Sequence, residues 1–210
     1  MREHKLQSYY PDTGPLRREL YAKHLEFFAA GNNHRERCFL AANRIGKTEG
    51  VGAFECTVHL TGRYPRWWLG RRFNGPIVAW AAGKDNLTTR DIIQKALLGQ
   101  QEVGTGMIPA DTIVRTTSRA GIGNAIESIF VRHVSGGISE IGLKSYEQGS
   151  ESFQGTARHI VWLDEEPSLD IYAEALLRTM TVDGMVICTF TPLLGMSDVV
   201  RYFLDIKAVE

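Results

Sequence analysis

The sequence predicts an α/β domain whose central sheet is mostly parallel and covered by helices on both faces. Short apolar runs of strand length, such as 76–82 and 185–190, alternate along the chain with segments of helical periodicity. These runs are apolar throughout, which is typical of strands that are buried on both faces. A hydrophobic fraction of 43% in 210 residues is enough to build such a core without disulfides.

The first part of the chain predicts an arm, a helix, a strand and a second helix. Residues 1–13 are polar and read as an N-terminal arm, while residues 14–210 form the domain. A helix that starts at Pro15 and ends at Gly31 has its predicted inner face at Leu16, Leu20, His24, Phe27 and Phe28. The apolar run 37–42 is the first predicted strand, and 47–60 is the helix that follows it.

The rest of the chain continues the alternation after an irregular segment rich in Gly, Pro and Arg. A helix over 85–99 is expected to place Ile92, Ile93, Ala96 and Leu97 inward and to end at Gly99. A hairpin is expected at Gly136-Gly137. The remaining elements are predicted strands at 76–82, 128–134, 138–146, 160–163 and 185–190, and helices at 169–180 and 198–206.

Composition excludes several classes of protein. The 24 basic and 24 acidic side chains give no net charge, so nucleic acid can be attracted only by a local patch. Three scattered cysteines form no disulfide framework, which favours a reducing compartment. The N-terminus lacks the apolar segment of a signal peptide, and no run approaches the ~20 apolar residues of a membrane span. We therefore expect an intracellular protein without a membrane segment.

The segment "AANRIGKT" (41–48) matches the phosphate-binding pattern G-x-x-x-x-G-K-[ST] except at its first position, Ala41. Gly46 allows backbone N–H groups to surround phosphates, Lys47 can reach the β- and γ-phosphates, and Thr48 can ligate Mg²⁺. The motif follows a predicted strand and opens a predicted helix, as this chemistry requires. The alternative is a chance match at a strand–helix turn.

The segment "IVWLDEE" (160–166) supplies acids at the end of another buried strand. A phosphoryl-transfer site needs one carboxylate in the Mg²⁺ shell, which we assign to Asp164. It also needs a group that orients or deprotonates the attacking water, which we assign to Glu165. Glu166 is interpreted as a solvated acid at a helix start. Together with Gly46-Lys47-Thr48, these acids predict a nucleoside-triphosphate site.

Arg44 lies inside the phosphate-binding segment. Its guanidinium could contact the γ-phosphate from the same chain, in a catalytic role, since a cation there has few other places to point. The alternative is a surface arginine that faces solvent.

Three ordered motifs, "HLEFFAAGNNHRERCFLAANRIGKTE", "ESFQGTARHIVWLDEEP" and "VICTFTPLLGMS", resemble the N-terminal ATPase of large terminases, the DNA-packaging motors of tailed bacteriophages and related viruses. The resemblance covers about residues 15–200. It implies a P-loop NTPase fold of the additional-strand-catalytic-glutamate type. It also implies a motor in which ATP hydrolysis drives double-stranded DNA into a preformed capsid.

The resemblance also implies roles for individual residues, with ATP as substrate and Mg²⁺ as cofactor. Asp164 and Thr48 hold the metal, and Glu165 is the catalytic glutamate. Thr191, or else Thr189, is the hydroxyl that couples nucleotide state to DNA movement; the alternative is a pair of turn hydroxyls before a proline. The expected nucleotide-binding residues are Tyr21, His24, Asn43, Arg44, Ile45, Gly46, Lys47 and Thr48.

The sequence departs from the family pattern at two of these positions. His24 stands where many members have an adenine-reading glutamine, and Asn43 stands where many have the loop arginine. Family members also continue into a nuclease domain, so no nuclease activity is expected from residues 1–210. The partners implied are double-stranded DNA, the portal protein, the small terminase subunit and further copies in a ring on the capsid, in the host bacterial cytoplasm.

Two further surfaces and two other functions stay open at this stage. The segment 63–73 interleaves four arginines with aromatic residues, which suits DNA, a neighbouring subunit or simple packing on the core. A ring motor also needs an arginine acting on a neighbour's nucleotide, with Arg115, Arg119 and Arg158 as candidates. The alternative functions are a helicase-like ATPase and a nucleotide-gated assembly module with little turnover.

Overall fold

The computed structural model describes residues 4–42, 45–193 and 195–206, with seven strands in one sheet of order β1-β7-β6-β2-β5-β4-β3. All neighbouring pairs from β1 to β5 in this order are parallel, whereas β4 is antiparallel to β5 and to β3. The predicted fold class is therefore confirmed. The strands are β1 (Glu36–Leu40), β2 (Val78–Gly83), β3 (Ile113–Ser118), β4 (Ile126–Arg132), β5 (Ile138–Ser145), β6 (Ile160–Asp164) and β7 (Met185–Phe190).

Helices pack on both faces of this sheet. Two stretches wind more widely than an α-helix, with i→i+5 character, over Lys47–Ala53 and Thr89–Gln94, and each runs directly into an α-helix. Shorter 3₁₀ turns occupy Arg18–Tyr21, Ala110–Thr112, Tyr146–Gln148 and Ser150–Phe153. The α-helices are α1 (Lys5–Ser8), α2 (Ala22–Ala30), α3 (Phe54–Thr61), α4 (Asn86–Thr88), α5 (Lys95–Leu98), α6 (Leu169–Met180) and α7 (Asp198–Ile206).

Alternation along the central strands creates two cores. On β6, Trp162 belongs to the core beneath α2, α3 and α5, whereas Leu163 belongs to the core beneath α6 and α7. On β7, Ile187 and Cys188 divide in the same way. The central strands are buried on both faces, which is why their sequences are apolar without a period of two.

Three details of the sequence prediction are wrong. Strand β3 was not anticipated, because "IVRTTS" is a partly exposed edge strand with no apolar alternation. Leu20 is 55% exposed, because the segment before α2 is a 3₁₀ turn that rotates this residue away from the expected face. Ile92 is 42% exposed, because the wide turn over Thr89–Gln94 breaks the 3.6-residue period on which its inward position depended.

The predicted hairpin and helix ends are confirmed. β4 and β5 pair antiparallel, and Gly136 and Gly137 between them have φ of 88° and 81°, a left-handed backbone that suits glycine. Gly31 caps α2, and Gly99 follows α5 with φ of 114°. No helix within 4–42, 45–193 and 195–206 is long and apolar enough to cross a membrane.

The sheet order has one consequence for function. β1, which precedes the phosphate-binding segment, is separated from the acid-bearing β6 by a single strand, β7. All three run in the same direction, so their C-terminal ends meet at one edge of the sheet. This is the additional-strand order that the resemblance implied.

Candidate active site

The phosphate-binding segment turns from β1 into a helix at Gly46. Gly46 has φ of 84°, a left-handed conformation that most residues avoid, and its carbonyl accepts from the N–H groups of Gly50 (2.7 Å) and Val51 (3.1 Å). The N–H groups at this helix start have no earlier helical carbonyl to bind, so they can face an anion. Asn43 and Arg44 lie outside the described residues.

Lys47 is buried at this turn and points toward the ends of the neighbouring strands. Its Nζ donates to the carbonyl oxygen of Ala42 and to Thr191 Oγ1, both at 2.8 Å. Thr191 Oγ1 donates in turn to the carbonyl of Ala41 at 2.8 Å. The lysine predicted to reach phosphates therefore contacts a hydroxyl predicted to couple nucleotide state to movement.

Asp164 gathers hydroxyl groups from two other elements at the end of β6. It is 2% exposed, and its carboxylate accepts from Thr48 Oγ1 at 3.0 and 3.1 Å and from Thr189 Oγ1 at 2.7 Å. The indole Nε1 of Trp162 donates to Thr189 Oγ1 at 2.7 Å. The wide turn over Lys47–Ala53 and α3 together form the helix that follows the phosphate-binding segment, which we call the P-loop helix. A Cβ at Gly52 would lie 2.1 Å from the Trp162 ring, so only glycine lets the P-loop helix approach this network. The two predicted metal ligands, Thr48 and Asp164, are thus in direct contact.

Burial, with a smaller contribution from the nearby Glu165 charge, raises the pKa of Asp164 to about 7. The hydrogen bonds from Thr189 and Thr48 and the Lys47 charge act in the opposite direction, but they do not offset the loss of hydration. A carboxylate in this state gains from a cation that replaces its proton.

This pKa predicts an unusual pH dependence of stability in metal-free protein. Between the ordinary pKa of 3.8 and about 7, the folded state holds a proton that the unfolded state has released. Stability should therefore fall as pH rises through this window, by about 1.4 kcal/mol per pH unit. Asp164→Asn does not titrate, so urea denaturation in EDTA should show its stability relative to wild type increasing from about pH 4 to 7.

Asp183→Asn is the matched control for this prediction. The Asp183 carboxylate accepts from Arg71 at 2.6 Å, and that contact lowers its pKa. The contribution of Asp183 to the free energy of unfolding should have the opposite pH dependence, because it is lost as pH falls below the ordinary carboxyl pKa. A difference between Asp164→Asn and wild type that stays constant across the window would contradict the prediction.

Glu165 follows β6 in a different environment. Its backbone has φ of 70°, and it is held by its N–H, which donates to Thr189 O at 3.2 Å, and by Tyr146 Oη, which donates to its carbonyl at 2.9 Å. Within the described part of the chain, its carboxylate has no hydrogen-bond or ion-pair partner. It lines a cleft of about 650 Å³ together with Lys47 and Thr48. The carboxylate is therefore available to a molecule in that cleft.

Tyr21 and His24, predicted to bind the base, lie behind the phosphate-binding turn. Both line a second cleft of about 560 Å³ that also includes Ile45 and Gly46. Tyr21 is half-buried, whereas His24 is buried, and its Nδ1 is 2.7 Å from Tyr10 Oη. Burial lowers the pKa of His24, so the ring is neutral near pH 7. Its polar contacts are internal ones.

The arginines proposed to act on a neighbouring subunit lie together beside β2, β4 and β5. Arg158 stacks over the Trp80 ring at 4.1 Å, and Arg115 stacks over Phe130 at 3.5 Å. Arg119 donates to the carbonyl of Leu143 on β5. The preceding residue on that strand, Gly142, pairs with Trp80 on β2. The three candidates thus contact three neighbouring strands of the sheet, β2, β5 and β4.

The basic segment 63–73 packs its aromatic side chains on the core. Trp68 is buried there, and its indole donates to the Arg71 carbonyl at 2.9 Å. Arg63 pairs with Asp111 at 2.5 Å, while Arg71 pairs with Asp183 at 2.6 Å. Two of the four arginines are therefore neutralised within the chain, which favours the packing interpretation for this part of the segment.

Three residues of the site were missed by the sequence analysis. Trp162 was treated only as a strand residue, Tyr146 as the end of a strand, and Tyr10 as part of an arm. Each reaches the site through one polar atom on an otherwise apolar side chain, and no motif spacing marks such a contact. The signal that was present is chemical, since a buried Trp or Tyr needs a hydrogen-bond partner.

The strand order and the residues at the strand ends define a P-loop-type α/β domain. The family model of the terminase large subunit, T4likevirus-type, N-terminal, matches residues 38–209. The chain is 40% identical over 205 residues to the terminase large subunit of Salmonella phage P22, covering 88% of this chain and 41% of that protein. The chain therefore belongs to the terminase large subunit family, as the motifs predicted, and spans less than half of this relative.

Solved structures agree on the fold. A mutant of the large terminase ATPase domain from Thermus phage P74-26 matches with a TM-score of 0.59 at 17% identity, over 82% of this chain and 66% of that one. A second structure of that domain matches with a TM-score of 0.52 at 17% identity, over 82% and 68% of the two chains. At this identity the likeness concerns the fold alone.

Proposed function

We propose that this chain is the Mg²⁺-dependent ATPase motor of a phage packaging machine, driving double-stranded DNA into a preformed capsid. The observation that carries the proposal is the meeting of three strand ends. Lys47 contacts Thr191 at 2.8 Å, Thr48 contacts Asp164 at 3.0 Å, and Glu165 faces the same cleft. These are the cation, the metal ligands and the base that phosphoryl transfer to water requires.

The donor set fits a magnesium nucleotide. Thr48 and Asp164 offer two hard oxygen ligands, and no group of three or more His, Cys, Asp or Glu clusters elsewhere in the described residues to form a separate metal site. Few protein ligands are typical for Mg²⁺, which keeps waters and phosphate oxygens in its shell. When bound there, the ion neutralises charge on the β- and γ-phosphates.

The chain's own groups then divide the work. Lys47 exchanges its two internal acceptors for phosphate oxygens, and the N–H groups after Gly46 bind the phosphate chain. Glu165 orients the attacking water and accepts its proton. The fixed backbone at Glu165 holds the carboxylate at the strand end without requiring a change at the moment of reaction.

Thr191 is proposed to transmit the state of the nucleotide. Its hydroxyl bridges Lys47 Nζ and the Ala41 carbonyl, with 2.8 Å to each. When Lys47 turns to phosphate, Thr191 loses its contact with the lysine and keeps the one with Ala41, so the contact between the end of β7 and the P-loop changes with the state of the nucleotide. Thr189 is the second candidate, through Asp164. Family membership supports portal protein, small terminase subunit and a homo-oligomeric ring in the host cytoplasm as the setting.

Lys47→Ala is the direct test of this proposal. We expect it to abolish ATP-dependent phosphate release and to weaken binding of a fluorescent ATP analogue by at least about tenfold, because a charge-assisted contact is lost. Lys84→Ala, an exposed lysine after β2, is the matched control and should behave as wild type. Tight, Lys47-dependent binding without phosphate release, with DNA present, would instead favour a nucleotide-gated assembly module.

A further inference from the structure

The segment before the first helix of the domain packs directly against the phosphate-binding turn. Leu6 and Tyr10 are buried in the same core as Phe28 and Phe54. The Tyr10 ring makes edge contacts with Phe54 at 4.9 Å and Tyr21 at 5.5 Å between ring centroids. Aromatic packing on several sides fixes where the hydroxyl of Tyr10 points.

That hydroxyl is bonded to the P-loop helix and to His24. Tyr10 Oη donates to the carbonyl of Gly50 at 2.6 Å and lies 2.7 Å from His24 Nδ1. The single tyrosine proton bonds the Gly50 carbonyl, and the His24 ring, which also hydrogen-bonds the backbone of Ile45, lies against the same hydroxyl. His24, Tyr10 and Gly50 are therefore linked through one hydroxyl group.

The local winding changes which N–H groups the Gly50 carbonyl can meet. In an α-helix it would accept from the N–H of Phe54, four residues later. Here the Phe54 N–H donates to the carbonyls of Glu49 and Val51. The Tyr10 hydroxyl therefore bonds a carbonyl that the Phe54 N–H does not use, within the wide turn that carries Lys47 and Thr48. Such wide turns in helices are frequent at functional sites.

The backbone of Tyr10 and the space around Gly50 both favour the contact between the Tyr10 hydroxyl and the Gly50 carbonyl. Tyr10 has φ of 57°, a left-handed backbone that is strained for a bulky residue. A Cβ at Gly50 would lie 3.0 Å from Tyr10 Oη, a tight contact, and 3.4 Å from the His24 ring, an ordinary one, so a glycine eases the close approach of the tyrosine hydroxyl. A strained tyrosine and a matching glycine meet at the phosphate-binding helix.

The N-terminal segment makes a second contact with the P-loop helix, at Glu49, the residue before Gly50. Tyr9 Oη donates to Glu49, and Lys5 Nζ lies 2.9 Å from the Glu49 carboxylate. Lys5 also lines the cleft that contains Lys47, Thr48 and Glu165. The N-terminal segment thus contacts two consecutive residues of the P-loop helix, Glu49 and Gly50.

We propose that Tyr10, oriented by His24, is a positioning residue that holds the wide turn of the P-loop helix in its phosphate-binding conformation. This inference rests on the proposed function of the site. It also assigns His24 a role under the P-loop in place of contact with the base. Removing the hydroxyl lets the Gly50 carbonyl return to an α-helical bond, which tightens the turn and moves Lys47 and Thr48.

The test compares Tyr10→Phe with Tyr64→Phe in the full chain. Tyr64 Oη also has two partners, His59 Nδ1 at 2.9 Å and the Phe73 N–H at 2.8 Å, but neither partner belongs to the wide turn over Lys47–Ala53. Both changes remove one hydroxyl and keep the ring, so both should lower the melting temperature. Only Tyr10→Phe should weaken ATP-analogue binding and raise KM, by about fivefold, as expected for one lost hydrogen bond.

Substitutions of His24 separate positioning from general packing. His24→Leu should reproduce the fall in affinity, and the double variant with Tyr10→Phe should be no worse than either single change, because the two act through one contact. His24→Gln keeps an N–H donor and should lose less affinity than His24→Leu. Additive losses would overturn the inference.

The outcomes also distinguish this inference from the proposed function. If wild type binds no nucleotide, or if Lys47→Ala binds as well as wild type, the proposed function fails. If wild type binds in a Lys47-dependent way and Tyr10→Phe binds equally well despite a lower melting temperature, the positioning role fails and the tyrosine is structural.

Discussion

Glu165→Gln is expected to lower ATP turnover by about 10²–10⁴-fold, because it removes the group that we propose accepts a proton from the attacking water. Glutamine has nearly the same shape and can still orient a water, but it cannot take the proton. Binding of ATP should change little, since Glu165 donates nothing to the phosphates. Steady-state phosphate release and equilibrium binding of an ATP analogue measure the two effects separately.

The surroundings of Glu165 give this prediction its specificity. Other acids near the cleft are already paired, Glu49 with Lys5 at 2.9 Å and Asp91 with Lys95 at 3.3 Å. Asp164 is buried and accepts hydrogen bonds from Thr48 and Thr189. Glu165 is the acid at this strand end whose carboxylate, among the described residues, faces the cleft without a partner.

Glu166→Gln is the matched control, because it makes the same chemical change one residue further along the chain. Glu166 does not line the cleft, and one of its carboxylate oxygens is buried, so the interpretation of this residue as a solvated acid was wrong. We expect turnover within about twofold of wild type, as for a change away from the reacting atoms. Loss of turnover in Glu166→Gln with normal turnover in Glu165→Gln would reverse the assignment. Normal turnover in both would remove the general-base role from this strand end.

The sequence predicted the central sheet well, because its strands are buried on both faces. Complete burial leaves runs such as "MVICTF" apolar throughout, and such runs stand out in any sequence. The edge strand β3 was missed for the opposite reason, since its side chains are only partly buried and its composition resembles that of a loop. The fully buried strands were therefore predicted correctly, and the partly exposed edge strand was missed.

The site shows the same division between local and long-range information. Lys47, Thr48, Asp164 and Glu165 follow from motifs because each sits at a fixed distance from a strand end. Thr191 contacts Lys47, and Thr189 contacts Asp164. Both contacts depend on the position of β7 between β1 and β6, which no local sequence pattern specifies. The sequence suggested hydroxyl residues; the sheet order determines which partner each one touches.

The polar contacts of buried aromatic and charged residues could not be predicted from the sequence. One example is a buried network that ties the P-loop strand to the P-loop helix. Arg37 on β1 donates to Glu55 on α3 at 2.6 Å, with side chains 4% and 1% exposed. Arg37 also donates to the Phe27 carbonyl at 2.8 Å, and His59 lies 3.4 Å from Glu55. Three elements around the phosphate-binding turn meet at this ion pair.

Glu55→Gln should lower the free energy of unfolding by about 3–5 kcal/mol, because it leaves the buried Arg37 guanidinium without its counter-charge. Burial alone would raise the pKa of Glu55, but the Arg37 charge and the hydrogen bonds from His59 and Arg37 outweigh it and lower this pKa. Protonating Glu55 has the same consequence as the substitution, so the stabilisation present near neutral pH is lost as pH falls through the lowered value.

Asp111→Asn provides the comparison for an exposed ion pair. Asp111 pairs with Arg63 at 2.5 Å, with side chains 50% and 34% exposed, and such pairs contribute about 0–1 kcal/mol. Urea denaturation of both variants should therefore separate them by at least about 2 kcal/mol. Equal losses would mean that Arg37 finds water or another acceptor when Glu55 is neutral, and that the network around the P-loop is held by packing alone.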